Sequence, residues 1–66
     1  MQILELLKFG SDKLKKNKIL THELDSELLL SSILRKKREK LIVDADKIVS
    51  KETIKDFNKL ISRRST

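Results

Sequence analysis

The chain has 66 residues, of which 39% are charged, and its 16 Lys and Arg against 10 Asp and Glu give a net charge of +6. This length supports one small core without a deep pocket, so we expect a single domain over residues 1–66. The absence of cysteine excludes disulfides and thiolate metal sites. No apolar run approaches the roughly 20 residues that span a bilayer, which predicts a soluble, cytoplasmic protein without a membrane partner.

The composition favours helices along the whole chain, because proline is absent and glycine occurs once. Residues 2–16 carry an apolar stripe at helical spacing, which predicts a first amphipathic helix ending near Asn17. Small residues in this stripe, Gly10 and Ser11, allow another helix to approach closely. The stripe consists of Ile3, Leu4, Leu7, Gly10, Ser11 and Leu14.

A second helix is predicted to begin after Thr21, a good N-cap residue. Its consecutive leucines at 28, 29 and 30 point in three directions, so we expect contacts on more than one side and a central position in the fold. The side chains predicted to specify the packing of this helix are Leu24, Leu28, Leu29, Ile33 and Leu34.

Two further helices follow. Residues 37–43 predict a short third helix with Leu41 and Ile42 as apolar residues, and Ser50 is a good N-cap for a last helix, with Val49 placed to pack on Ile54. The buried face of the last helix is predicted to contain Ile54, Phe57, Leu60 and Ile61, and its exposed face Lys55, Asp56, Lys59, Arg63 and Arg64. The sequence therefore predicts an all-α bundle of four helices, or five if the segment around Ile48 adds a turn.

Catalytic and cofactor chemistry has little support in the sequence. One glycine excludes a Gly-rich phosphate loop, and the single histidine, His22, excludes two-histidine metal sites and is interpreted as a surface residue. Asp25 and Glu27 are two residues apart, so their side chains diverge by about 200° and form no acid/base pair. We expect Glu27 to be solvated. We expect Asp25 to accept hydrogen bonds from one of three arginines, namely Arg38, Arg63 or Arg64.

The densest charge lies in residues 35–40, and two interpretations stay open. The run is either a solvated link between helices or a surface that attracts an acidic partner, and the candidate binding residues are then Arg35, Lys36, Lys37 and Lys40. Nucleic acid is disfavoured as the partner, because Phe9 and Phe57 are the only aromatic residues on which bases can stack.

Four motifs follow one another along the chain. Residues 25–30, DSELLL, resemble a DAExLL helix through Asp25, Glu27, Leu28 and Leu29. Arg38 and Leu41 match an Arg-x-x-Leu helix, and residues 50–52 match a Ser/Thr-x-Glu helix start. The closing F-x-x-L-x-x-R-R motif is matched by Phe57, Leu60, Arg63 and Arg64. In this order the motifs resemble the N-terminal domain of the peptide chain release factor glutamine methyltransferases, the HemK/PrmC family, and the matching residues are expected to be structural.

The resemblance implies a small helical bundle joined to a Rossmann-like domain, which uses S-adenosylmethionine to methylate the glutamine of the release factor's Gly-Gly-Gln loop. That domain's glycine-rich loop and Asn-Pro-Pro-Tyr motif cannot be present, because the chain has one glycine and no proline. We therefore expect a substrate-recognition domain without its catalytic domain, which binds no cofactor and is no enzyme by itself. Its implied partners are a release factor and its own catalytic domain in cis.

The chain departs from the family pattern at two places. Ser26 replaces the usual alanine, and residues 35–37 stand where the family often has a glycine-containing link. Two other functions stay open as alternatives. One is a small basic helical module that binds nucleic acid, and the other is a structural domain that packs in cis on the catalytic domain.

Overall fold

A computed structural model describes residues 1–65, and in this part of the chain four helices and no strand are formed. The helices are α1 (Ile3–Lys16), α2 (His22–Leu34), α3 (Arg38–Val43) and α4 (Lys51–Ser65). They confirm the predicted all-α bundle. Of the two alternatives, the structure has four helices over residues 1–65, because Ile48 forms an isolated antiparallel bridge with Gln2 and no fifth helix.

The helix ends have local causes. Glu5 Oε1 accepts a hydrogen bond from the Gln2 amide at 3.0 Å, and Asn17 Nδ2 donates to the Lys13 carbonyl at 2.9 Å. Ser50 Oγ accepts from the Thr53 amide at 3.2 Å, which confirms the predicted cap of α4. The predicted start of α2 at Thr21 is also correct, but the Thr21 hydroxyl donates to Asp25 Oδ2 at 2.9 Å and caps no backbone amide.

The core lies where α1, α2 and α4 meet, and α3 closes one side of it. Its buried apolar residues are Ile3, Leu6, Leu14, Leu30, Leu41, Val49, Phe57 and Ile61. The predicted stripe of α1 needs one correction, since Leu4 is 47% exposed and Leu6 is fully buried. Ile3, Leu6, Gly10 and Leu14 follow one another at three- and four-residue steps, so Leu4 falls about 100° away from this row.

Gly10 is the point of closest approach between helices. A Cβ atom built on Gly10 would lie 2.7 Å from Phe57 Cε2 in α4 and 2.8 Å from Ser26 Oγ in α2. This confirms the prediction that a small residue of α1 admits a neighbouring helix. Ser26, which stands in place of the usual alanine, is 1% exposed and donates to the Leu7 carbonyl at 2.8 Å. The extra hydroxyl is therefore satisfied inside the bundle.

The second helix packs against each of the other three helices, as predicted, and α1 does the same. Leu30 is fully buried, and the partly buried side chains at the core include Leu29, Ile33 and Leu34. Leu24 and Leu28 are 39% and 48% exposed, so the prediction that they specify the packing is wrong. They lie two turns or less from Leu30, but they do not belong to the side chains packed against the core. Between α3 and α4 there is no backbone contact, because α1 and α2 separate them.

The short helix α3 buries one side chain, Leu41, while Ile42 and Val43 are each 70% exposed. Of the apolar residues on the predicted third helix, Leu41 therefore reaches the core. The segment after α3 is tied by backbone hydrogen bonds to the start of the chain. Ile3 N donates to Lys47 O at 3.0 Å, Leu4 N to Ala45 O at 3.0 Å and Val49 N to Met1 O at 2.9 Å.

Candidate partner-binding surfaces

The link between α2 and α3 begins with a left-handed residue. Arg35 caps the C-terminus of α2 with φ 55° and ψ 42°. This backbone region favours glycine, which explains physically why a glycine-containing link suits this place. The Lys36 amide donates to the Ser31 carbonyl at 3.1 Å, and the Ser31 hydroxyl donates to the Lys36 carbonyl. The link is thus an ordered cap with a defined direction for its side chains.

Lys36 of this link forms an ion pair with a buried carboxylate. Its Nζ lies 3.0 Å from Asp44 Oδ2, and Lys47 Nζ lies 3.3 Å from Asp44 Oδ1, while the Asp44 side chain is 8% exposed. The hydrogen bond from Lys36 lowers the pKa of Asp44, partial burial opposes this, and the hydrogen bond from Lys47 lowers it further. Lys36, one of the four candidate binding residues, is therefore already engaged in an ion pair.

The acidic residues of α2 also form ion pairs. Arg38 Nη2 lies 3.3 Å from Glu27 Oε2, and the Glu27 side chain is 26% exposed, so the prediction that Glu27 is solvated is wrong. Arg64 Nε donates a hydrogen bond to Asp25 Oδ2 at 3.0 Å, and Arg64 Nη2 lies 3.0 Å from the same oxygen in an ion pair. Of the three arginines expected for Asp25, the structure selects Arg64. These pairs fasten α3 and α4 to α2.

The motif residues take several kinds of position. Phe57 and Leu41 are fully buried, Leu29 and Leu60 are half-buried, Leu28 is exposed, and Arg63 is exposed on the outer face of α4. The four charged motif residues form the two ion pairs just described, Arg38 with Glu27 and Arg64 with Asp25. The pairs link sequence motifs that lie far apart in the chain.

Three cations of the basic run remain without an ion pair in the part of the chain that the structure describes. We call Arg35, Lys37 and Lys40 the link cations, and all three are exposed. They surround the N-terminus of α3, with Lys37 at its N-cap position. Each interpretation of the run thus applies to part of it. Lys36 and Arg38 form ion pairs within the fold, whereas the link cations are exposed to solvent and available to a partner.

A second basic surface was not singled out from the sequence. Lys51, Lys55, Lys59 and Arg63 recur every four residues along α4, and all are exposed. We call them the α4 row. Among residues 1–65, no carboxylate forms an ion pair with the three lysines of the α4 row. The spacing of four residues was visible in the sequence and places charges on one helical face.

A shallow groove between α1 and α2 contains the chain's histidine. His22 lies in the first turn of α2, as predicted, but it is half-buried, and its Nδ1 lies 2.7 Å from Ser11 Oγ. Leu4, Leu7 and Ile42 line the same groove. No carboxylate of residues 1–65 hydrogen-bonds to His22, so the Ser-His pair lacks the third member that orients the base in a catalytic triad.

The single glycine of the chain has a packing role. Gly10 lies inside α1 with Phe57 and Ser26 against it, so it belongs to helix packing and to no phosphate- or nucleoside-binding loop. Within residues 1–65, no three His, Cys, Asp or Glu side chains are arranged to hold a metal ion. Across the same residues, each helix is too short or too polar to cross a membrane.

Comparison with known proteins gives one match. No curated protein and no solved structure is significantly similar to the chain. The family model of the PrmC N-terminal domain matches residues 5–66, which include all four motifs of the resemblance. This match confirms the resemblance, and the chain belongs to the PrmC N-terminal domain family.

Proposed function

We propose that this chain is the release-factor-binding domain of an S-adenosylmethionine-dependent methyltransferase that modifies the glutamine in the Gly-Gly-Gln loop of peptide chain release factors. The observation that carries the proposal is the family match over residues 5–66, which fits a methyltransferase parent. Methyl transfer then belongs to a separate catalytic domain.

The link cations are the part of the surface that we assign to the release factor. Arg35 caps α2, Lys37 caps α3 and Lys40 lies within α3. All three side chains are exposed and form no ion pair among residues 1–65, so their charges reach solvent from backbone positions set by the two helices. Such a cluster raises the rate of encounter with an acidic surface and orients it, and salt weakens the effect. Lys36 is left out of this assignment, because it neutralises Asp44.

The proposal is tested by titrating the labelled 66-residue chain with purified release factor at low and high salt. The variant Arg35→Gln/Lys37→Gln/Lys40→Gln is expected to bind roughly tenfold more weakly at low salt, because each exposed charge contributes about 0.5 kcal/mol. The matched control is Lys51→Gln/Lys55→Gln/Lys59→Gln, which also lowers the net charge from +6 to +3. Equal losses in both variants would remove the assignment to the link cations. If the unmodified chain did not bind, the release factor would be excluded as its partner.

Packing in cis on the catalytic domain is a second candidate function, and the exposed apolar side chains favour it. Ile42 and Val43 are each 70% exposed, and Ile48 is 72% exposed, in a bundle that otherwise buries its isoleucines at least in part. Ile42→Gln/Val43→Gln is expected to leave the isolated chain stable, because both side chains already face water. In the full-length parent enzyme, it would lower the unfolding temperature while the KM for release factor stays unchanged. An unchanged unfolding temperature would exclude this role.

A further inference from the structure

The outer face of α4 carries cations at a regular spacing. Lys51, Lys55, Lys59 and Arg63 are separated by four residues each, which corresponds to steps of about 6 Å and a row about 18 Å long. None of the four side chains is buried. The row drifts about 40° round the helix at each step, and it presents charges at regular intervals along the helix axis. It therefore suits a polyanion whose own charges recur at regular intervals.

Polar residues form the floor of a shallow furrow beside this row. Asn58 and Ser62 lie next to the row together with Ile54, and Lys13 of α1 donates from Nζ to Ser62 Oγ at 3.4 Å. Cations therefore stand on both edges of the furrow near its C-terminal end. The acidic residues of α4, Glu52 and Asp56, flank the row on the side away from the furrow, three residues before Lys55 and Lys59.

The composition of the furrow distinguishes a phosphate backbone from a protein partner. A protein interface normally needs an apolar or aromatic centre, and the furrow offers the side chain of Ile54 alone. Contacts to phosphate oxygens come from Lys, Arg, Ser and Asn, which are the residue types found here. Bases cannot stack in the furrow, because Phe57 is fully buried and Phe9 is not among its residues. These features favour a duplex over a single strand.

We infer that the α4 row binds the phosphate backbone of a double-stranded nucleic acid without reading its sequence. The scarcity of aromatic residues argues against the recognition of bases, whereas contacts to phosphates require charge and hydrogen-bond donors only. The inference is independent of the proposed binding of a release factor. The link cations and the α4 row share no residue, and α3 and α4 have no backbone contact with each other, so the two surfaces can be changed separately.

The first experiment measures fluorescence anisotropy of a short labelled RNA duplex with the unmodified chain between about 50 and 200 mM salt. Three phosphate contacts from the lysines predict a slope of about −2.7 or steeper for log K against log salt concentration, which corresponds to a loss of affinity of roughly 40-fold over this range. A DNA duplex of the same sequence is expected to bind with a similar Kd, because only the backbone is contacted. A slope near zero, or a strong preference for one sequence, would overturn the inference.

The decisive comparison uses the same two triple variants. Lys51→Gln/Lys55→Gln/Lys59→Gln is expected to flatten the slope by about 2.7, whereas Arg35→Gln/Lys37→Gln/Lys40→Gln, with the same net charge, keeps the slope of the unmodified chain. Circular dichroism verifies that both variants remain helical. If the two variants changed the slope equally, binding would depend on the net charge alone, and this result would overturn the inference.

Competition identifies the occupant of the furrow. Polyglutamate and vesicles of anionic lipid, added at the same total charge as unlabelled duplex, are expected to displace the labelled duplex less well. Displacement by polyglutamate at equal charge would assign the α4 row to an acidic protein, and displacement by vesicles would assign it to a membrane surface. Either result would overturn the inference without affecting the release-factor titration.

Discussion

The two sides of the bundle are stabilised by different interactions. Where α4 packs on α1 and α2, the fully buried ring of Phe57 lies directly against Gly10, and the ion pair between Arg64 and Asp25 lies at the more exposed margin of this contact. Where the segment of residues 36–49 packs on the same pair of helices, α3 buries Leu41, and Asp44 is held by Lys36 and Lys47. Backbone hydrogen bonds to the first residues of the chain complete the second side.

This difference predicts different sensitivities. Tightly packed apolar side chains respond to a change in volume and are largely indifferent to pH and salt. A carboxylate whose charge is stabilised by lysines responds to protonation. The first side should therefore be vulnerable to an added methyl group, and the second side to acid. The changes below test each side with the perturbation to which it should be sensitive.

The largest effect is expected for Gly10→Ala. Overpacking of a core costs up to about 3 kcal/mol, and the higher helix propensity of alanine returns about 1 kcal/mol, so the free energy of unfolding should fall by about 2 kcal/mol. The added Cβ would lie under 3 Å from Phe57, which is fully buried and cannot move into solvent. Urea denaturation followed by circular dichroism measures the change, which is a large part of the stability of a domain this small.

A double-variant cycle attributes this loss to the contact with Phe57. Phe57→Leu removes the ring atoms that the new Cβ would meet. The Gly10→Ala/Phe57→Leu protein should lose less unfolding free energy than the two single variants lose together, and the difference should be at least about 1 kcal/mol. Strictly additive losses would show that the methyl group strains another part of the bundle.

Asp44→Asn tests the second side through its pH dependence. Hydrogen bonding by Lys36 lowers the pKa of Asp44 in the folded state, so the unfolded chain binds the proton more readily and stability increases with pH. This contribution is complete above the unfolded pKa of about 3.9 and is lost as the pH falls through the lowered folded value. The variant should be less stable near neutral pH, by less than Gly10→Ala, and its stability should decline less steeply below pH ~4.

Thermal unfolding between neutral pH and strong acid makes this measurement, with Asp46→Asn as the control. Asp46 is exposed and lies two residues from Asp44, so it tests the loss of one negative charge from the same turn. We expect the pH profile of Asp46→Asn to follow that of the unmodified chain. Identical profiles for Asp44→Asn and the unmodified chain would mean that the ion pairs do not contribute to acid sensitivity.

Periodicity and capping predicted the helices well, because they are local properties. Asn17 and Ser50 mark helix ends where expected, and Gly10 admits a neighbouring helix as expected. Errors occurred where burial depends on which neighbour is present. Leu28 is apolar and helical, yet it is 48% exposed. Leu4 was expected in the core, and Leu6 is buried there instead. A single sequence does not fix the rotation of a helix to better than one residue.

The candidate surface was predicted only in part, because ion pairing depends on tertiary contacts. The basic run was recognised from its density, but the pairing of Lys36 with Asp44 and of Arg38 with Glu27 joins residues eight and eleven positions apart. Neither pair has a helical spacing that a sequence reveals. The α4 row has such a spacing, and a search for cations every four residues would have found it.

Asn58→Leu tests a polar group on the side of the bundle where α4 packs on α1 and α2. Asn58 Oδ1 is buried in the described part of the chain without a hydrogen-bond partner, and such an acceptor typically costs about 1 kcal/mol or more. Leucine has a similar volume and no polar atom, so the free energy of unfolding should rise by about 1 kcal/mol. Ser62→Leu, an exposed position on the same face, should bring no gain. A loss of stability in Asn58→Leu would show that the amide is satisfied in solution.

The smallest effect separates the two lysines around Asp44. Lys36 Nζ lies 3.0 Å from Asp44 and its side chain is 38% exposed, whereas Lys47 Nζ lies at 3.3 Å and its side chain is 64% exposed. Because water screens the more exposed pair, Lys36→Gln should raise the pH of the acid transition more than Lys47→Gln. At about 1 M salt, where the Debye length falls to about 3 Å, the difference between the variants should shrink. If the difference persists at that salt concentration, Lys36 contributes through the packing of its aliphatic chain, and acid sensitivity has another source.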